Sequence, residues 1–333
     1  MPDMPENAKF AHLGLRDWPF QIVPDERFYR IWAGRPQAKQ TIEKLLFRWT
    51  RYDPSTIHLF WADFGAGKTH SLHHLRTLAE DRKLPVLCLY AALPKTLKSF
   101  VDLYRQVFAN ARVECFAPEF AHLWQTHGAA QLRSLLSPGL PDFVAAMRAI
   151  CSEEPERASL GVAWLRADPN VGKRDLKPAG ITAPLKTTDE AIAAWTAFVK
   201  AVAMTRRFRR VAILIDEYQR TGACRPPARQ ELCAALRSVF NHCPTNMSLV
   251  LSFSLGRPDQ VKYLLSPELR SVVDNRDRLE LPAFSREEAA PGGIPTSGRW
   301  RQLRAIRPGS RGCRHRLRNR QWRLAAAAAD DGL

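Results

Sequence analysis

Hydrophobic and polar positions alternate along this chain in two distinct rhythms. Short, nearly continuous apolar runs occur at Ile57 to Ala62, Leu84 to Tyr90, Val211 to Ile215 and Ser248 to Ser254, and a final one at Leu279-Glu280-Leu281. Runs of this length, rich in β-branched and aromatic residues, predict strands buried on both faces, as in a parallel sheet. Between them lie stretches with apolar residues three and four apart, which predict amphipathic helices. Gln37 to Tyr52 places Ile42, Leu45, Leu46 and Trp49 on one face. Phe100 to Phe108 and Arg229 to His242 read the same way, and Pro258 to Leu264 as a short helix. Glu26 to Trp32 reads as a short helix ahead of the turn Ala33-Gly34-Arg35. Between about 111 and 207 the pattern is mostly helical: Phe120 to Thr126, Ala129 to Leu136, Asp142 to Cys151, and Asp189 to Met204 capped by Thr187 or Thr188. Strands that alternate with helices predict an α/β fold of three layers, with a mainly parallel five-stranded sheet and a long helical insertion.

The join between the first strand and its helix carries chemistry. Ala62-Asp63-Phe64-Gly65-Ala66-Gly67-Lys68-Thr69 matches G-x-x-x-x-G-K-[ST] except that Ala62 stands at the first glycine. Alanine is tolerated there if the residue keeps strand geometry. A strand, a glycine turn and a helix start present backbone N–H groups and a positive helix end to an anion, which is the phosphate cradle of P-loop NTPases. Phe64, Gly65, Ala66, Gly67, Lys68, Thr69 and His70 are therefore candidate ATP contacts. Lys68 is expected to reach the β- and γ-phosphates, and the Thr69 hydroxyl to hold Mg²⁺. Gly172-Lys173 is no second loop of this kind, since no strand precedes it.

The strand Val211 to Ile215 runs into Asp216-Glu217. In a P-loop protein the first such carboxylate serves Mg²⁺ and the second orients the attacking water. Asp216 is thus the candidate metal residue beside Thr69, and Glu217 the candidate catalytic carboxylate beside Lys68.

Composition narrows the setting. With 333 residues and 45% hydrophobic residues the chain has room for a sizeable core. No apolar run approaches the roughly 18 residues of a membrane span, and residues 1–7 have no apolar leader core, so a cytoplasmic protein is expected. The 7 cysteines include no C-x-x-C pair, so a zinc knuckle or disulfide framework is not supported and free thiols are expected. The net charge of +17 is uneven: the segment after Ala290 contributes +8, from ten arginines against two aspartates. That segment has no clear apolar period and no lysine. It reads either as frame-shifted text replacing a native helical lid or as a basic tail that grips nucleic acid.

The order of these motifs resembles AAA+ ATPases near the origin-recognition branch. The resemblance rests on lead-in helices with a Gly-Arg turn, the G-A-G-K-T loop, the strand ending Ile215-Asp216-Glu217, the serine-tipped strand Ser248 to Ser254, and Leu281-Pro282-Ala283-Phe284-Ser285-Arg286-Glu287-Glu288. Trp164-Leu165-Arg166 ahead of Ile215-Asp216-Glu217 is similar to the ATP-binding proteins of BREX-type phage-defence systems. The resemblance implies that the turn at Arg35 lies over the adenine. It implies that Ser252 or Ser254 contacts the γ-phosphate or water, and that Arg270 or Arg276 completes a neighbour's site. It also implies protein partners, a homo-oligomer and DNA association, with hydrolysis coupled to conformational change. On this reading residues 1–53 form the lead-in, 54–290 the ATPase core and 291–333 the tail. A nucleotide-binding scaffold or nucleic-acid-binding subunit without turnover is the alternative.

Overall fold

In the computed structural model the described residues are 28–32, 34–63, 65–136, 139–254, 261–273 and 278–281. Five strands, β1 (Thr56–Ala62), β2 (Val86–Ala92), β3 (Arg210–Asp216), β4 (Met247–Ser254) and β5 (Leu279–Leu281), form one sheet in the order β2-β3-β4-β1-β5. Every pairing within it is parallel. Crossover connections are obligatory for parallel neighbours, and helices supply them. Helix α1 (Pro36–Arg51) precedes β1, and the connections hold α2 (Lys68–Asp81), α3 (Phe100–Asn110), α4 (Ala117–Leu136), α5 (Pro141–Ile150), α6 (Pro155–Leu165), α7 (Thr188–Met204), α8 (Pro226–His242), α9 (Val261–Leu264) and α10 (Pro267–Arg270).

The sheet is covered on both faces, which explains why its strands read as continuous apolar runs. Phe60, Ala62, Ala212, Leu214 and Val250 point into a core with Ile42, Leu45 and Trp49 of α1 and Leu72 and Leu75 of α2. Their neighbours Leu59, Trp61, Ile213, Ile215, Leu249 and Phe253 enter the larger opposite core, with residues of α3, α7 and α8. The alternation of one strand between two cores is the period-2 geometry of the pleat. Register then brings strand tips together: Ala62 lies opposite Ser254, and Ala92 opposite Asp216.

The insertion packs through aromatic residues. Trp195 of α7 lies 5.7 Å from the Phe100 ring and 6.0 Å from that of Phe108. Thr187 closes a capping box with Glu190 at the start of α7. The buried Asp142 carboxylate accepts from the Thr182 N–H at 2.9 Å, the Thr182 hydroxyl at 2.7 Å and the Ala183 N–H at 3.0 Å. Trp164-Leu165-Arg166 has a packing role here. The Trp164 indole donates to the Ala183 carbonyl at 2.8 Å, the Leu165 carbonyl accepts from Tyr104, and Arg166 pairs with Glu114 at 3.1 Å.

Two expectations shift. The reading misses α6, because its close contact with α5 is made by Gly161 and leaves no wide apolar stripe. A Cβ there would stand 2.8 Å from the Ala146 carbonyl oxygen and 2.9 Å from the Ile150 nitrogen. Gly161→Ala is therefore expected to destabilise the protein by about 2–3 kcal/mol, lowering Tm by roughly 5–10 °C in a thermal melt. A variant melting with the parent would contradict the close crossing. Second, the described part of Glu26 to Trp32 is no regular α-helix: Phe28 is 3-10, with the Ile31 N–H donating to its carbonyl at 2.9 Å, and the chain then turns. The Tyr29 and Ile31 carbonyls accept side-chain bonds from α2. Phe120 to Thr126 and Ala129 to Leu136 are two helical runs, as read, that meet within α4 at a kink at Gly128, with φ +70°.

Phe64, Arg276, residues 1–27, the helix start at Ser285 and the tail 291–333 lie outside the described residues. Among the described residues no helix is long and apolar enough to cross a membrane. The six described cysteines are free. Burial pushes the Cys88 thiol up to about 12 and that of Cys243 to about 11, which suppresses the reactive thiolate.

Candidate functional site

The carboxyl ends of parallel strands leave a crevice where loops converge, and the sequence-predicted residues meet there. β1 ends at Ala62 in regular strand geometry, paired to both Ser254 and Leu281, so alanine at the first motif position costs nothing in backbone conformation. The chain then turns: the Ala66 N–H donates to the Asp63 carbonyl at 3.1 Å. Gly65 and Gly67 take φ of +73° and +88°, with nothing within 4 Å of an added Cβ. Their requirement is conformational, since L side chains strain in this region. Gly67 is the N-cap of α2, where no side chain caps the helix and no acid sits in the first turn. The leading N–H groups and the positive helix end thus face the crevice. Arg35, itself at φ +44°, donates from Nη1 to the Ala66 carbonyl at 2.6 Å and ties the lead-in to this turn.

Lys68 is buried at the centre. Its Nζ donates to Glu217 Oε1 at 2.6 Å and Ser254 Oγ at 2.6 Å, and lies 3.2 Å from Asp216 Oδ1. An enclosed ammonium is tolerable only with such partners. Thr69 donates its hydroxyl to Asp216 Oδ2 at 2.7 Å. Asp216, 1% exposed, also accepts from the Glu217 N–H at 2.8 Å and from the Tyr90 hydroxyl at 3.2 Å. Burial, and then the Asp216 charge, push the Tyr90 phenol far above its usual range, so it stays a donor. Glu217 adopts φ +61°, a left-handed conformation uncommon outside glycine, which turns the chain into the 3-10 turn Tyr218–Ala223.

Three residues at the site escape sequence reasoning. Gln219 donates to Glu217 Oε2 at 2.9 Å and accepts from the Ser254 N–H at 3.0 Å, so one amide spans both strand ends. Arg220 donates to the Leu93 carbonyl at 2.5 Å and reaches Glu217 Oε2 at 3.4 Å. Tyr90 is the third. Nearness to Asp216-Glu217 in the chain was the one signal for Gln219 and Arg220. Tyr90 read simply as the end of a strand.

Other expected residues stand apart from this cluster. Ser252 is buried deeper in β4, and its Oγ has no hydrogen-bond partner. His70 turns to the lead-in, with Nε2 2.8 Å from the Ile31 carbonyl oxygen. It belongs to a histidine seam: His73 stacks on Tyr29 at 4.2 Å, and His74 Nδ1 lies 2.7 Å from the Tyr29 carbonyl oxygen. Burial lowers all three imidazoles, His73 to about 4, so they remain neutral at physiological pH. Arg270 ends α10 exposed. Val273, three residues on, bridges Ile57 at the far end of β1, away from Lys68.

The parallel sheet, its helices on both faces and the glycine turn between β1 and α2 make this a three-layer α/β P-loop NTPase fold. No family model matches the chain, and no curated protein does. Among solved structures it is similar to the Orc1 protein of Aeropyrum pernix in complex with DNA, at 14% identity and TM-score 0.36, over 79% of this chain and 52% of that one. It is similar to a Walker-type ATPase of Pyrococcus abyssi at 14% identity and TM-score 0.37, over 80% and 58%. For Cdc6p of Pyrobaculum aerophilum the figures are 12% and 0.42, over 80% and 52%. The chain thus spans about half the length of these structures.

Proposed function

We propose that this chain binds Mg²⁺-ATP at the β1–α2 turn and hydrolyses it, as an AAA+-type ATPase of the origin-recognition kind. The observation that carries the reading is the meeting of Lys68, Thr69, Asp216, Glu217 and Ser254, from three strand ends, beside an uncapped helix N-terminus. That assembly is an anion site with an ammonium group, a hydroxyl–carboxylate pair and a second carboxylate in reach.

The donor set fits Mg²⁺. Thr69 Oγ1 and the Asp216 carboxylate are hard oxygen donors, and no cluster of three or more His, Cys, Asp and Glu side chains forms a closed metal cage among the described residues. Mg²⁺ suits such a site because it keeps waters and takes the remaining oxygens from phosphates. Bound there, it would neutralise charge on the β- and γ-phosphates.

The protein's own residues then divide the work. The amides of residues 65–69 line the polyphosphate. Lys68 exchanges its carboxylate partners for phosphate oxygens. Glu217 is thereby released to hold a water for attack on the γ-phosphorus, with Gln219 keeping its far oxygen fixed. Ser254, at the strand tip, donates toward the γ-phosphate. Arg35 secures the turn against the lead-in.

Coupling of hydrolysis to motion in a larger assembly extends the proposal. Protein subunits, a second copy of this chain, DNA, or a phage-defence complex are the partners it invites. Arg270 and Arg276 are then candidates for a neighbour's site, and the exposure of Arg270 suits that role. One observation favours a nucleotide switch without turnover: Lys68 and Glu217 bind each other and must separate before either acts.

Calorimetric titration with ATP tests the reading. Binding at micromolar Kd is expected with Mg²⁺, weakened roughly tenfold or more by chelation, with phosphate release only when metal is present. No binding at about 1 mM ATP would refute the assignment.

A further inference from the structure

A second concavity lies beside the site. It has a volume of about 500 Å³ and is bounded by the β2–α3 loop, with Lys95, Thr96, Leu97 and Lys98, and by the entry to α8, with Arg225 and Ala228. No acidic residue lines it. Lys95, Lys98 and Arg225 are exposed, and no ion pair engages them among the described residues. Two carboxylates of the adjoining helices are already committed. Asp102 accepts from the Lys98 N–H at 2.8 Å and pairs with Arg105, and Glu231 accepts from Thr188 and from the Phe100 N–H.

Three unpaired cations in a concavity also lined by Leu97, Ala223 and Ala228 match a repeating anion with an apolar body between its charges. We propose that this groove binds the phosphodiester backbone of a single nucleic-acid strand. A strand presents a charge at each nucleotide and a sugar between charges, which suits cations on both walls with aliphatic side chains in the same lining.

The groove is joined to Glu217. Arg220 holds the carbonyl of Leu93, two residues before Lys95, and touches Glu217, while the turn that contains it continues into Ala223 and Arg225. An occupant that moves either wall therefore acts on the Arg220–Glu217 contact. This coupling rests on the ATPase reading above; binding itself does not.

The test uses the full chain and a fluorescent single-stranded oligonucleotide of about 20 nucleotides, titrated at several salt concentrations. Each backbone contact contributes about 0.7 to the slope of log K against log salt, so Lys95→Ala/Lys98→Ala/Arg225→Ala is expected to lower the slope by about 2. At about 0.1 M salt that corresponds to roughly 100-fold weaker binding. Cys224, which lines the groove, is expected to be shielded from maleimide by the oligonucleotide, while the exposed Cys115 is not. Equal slopes for parent and variant, with Cys224 unshielded, would assign nucleic-acid binding to the arginine-rich end of the chain and overturn the proposal. Displacement by polyglutamate of matched charge, with equal efficiency, would also overturn it in favour of an acidic protein segment. Stimulation of ATP turnover by the oligonucleotide is expected in the parent and lost in the triple variant. Absence of turnover in every sample would count against the ATPase reading alone, since the slope and shielding are read independently.

Discussion

Lys68→Ala is expected to weaken ATP binding by about 100- to 1000-fold and to bring turnover below detection. The ammonium lies against Asp216, Glu217 and Ser254 together, whereas Arg220 reaches only the far Glu217 oxygen, at 3.4 Å. Removing one partner of an enclosed, hydrogen-bonded charge pair costs about 2–5 kcal/mol, which covers that range. The substitution also acts on the protein without nucleotide. Asp216 and Glu217 lose the charge between them, while Asp216 keeps the Thr69 and Tyr90 hydroxyls. The side chain of Glu217 is 26% exposed, so water relieves part of the repulsion. A loss of about 1–3 kcal/mol is expected, less than for a fully enclosed pair. Lys68→Ala/Glu217→Gln removes one of the two negative charges and is expected to recover most of that stability without recovering turnover. Calorimetric titration reads the binding and a denaturant melt reads the stability. Unchanged ATP affinity in Lys68→Ala would remove the β1–α2 turn from consideration as the nucleotide site.

Glu217→Gln separates binding from chemistry. The amide has nearly the shape of the carboxylate and retains an acceptor toward Lys68, so ATP affinity is expected to stay within about threefold of the parent. It is a poor base, and turnover is expected to fall by about 10²- to 10⁴-fold, the usual contribution of a positioned base. Single-turnover phosphate release with saturating Mg²⁺-ATP measures the step directly. Should release continue at the parental rate, Glu217 would be a partner of Lys68 only, and the nucleotide-switch reading would gain. Loss of binding together with turnover would instead make Glu217 part of the scaffold around Lys68.

Much of the architecture was legible in the order of residues. Burial of β3 on both faces leaves no polar position from Val211 to Ile215, so the strand declares itself without knowledge of its neighbours. The stripe on α1 and the capping box of α7 are equally local. By contrast, α6 hides because a glycine makes its closest contact. The pair Ser252 and Ser254 could not be separated by pattern, since residues two apart in a strand share a face; depth along the strand separates them. His70 follows the glycine loop directly, yet its ring is drawn away by the Ile31 carbonyl of the lead-in.

What the chain determined by itself is the set of buried strands, the glycine turn and the two dipeptides Lys68-Thr69 and Asp216-Glu217. These depend on solvent exclusion and backbone freedom, which act over a few residues. Tertiary structure decided which side chains meet. Lys68 and Glu217 are 149 positions apart, and their 2.6 Å contact exists because parallel register aligns the ends of β1, β4 and β3. The same alignment brings in Tyr90 and Gln219, and it leaves Ser252 below and Arg270 outside. Hydrogen-bond geometry is set to tenths of an ångström by packing across the whole sheet, and no local pattern records it.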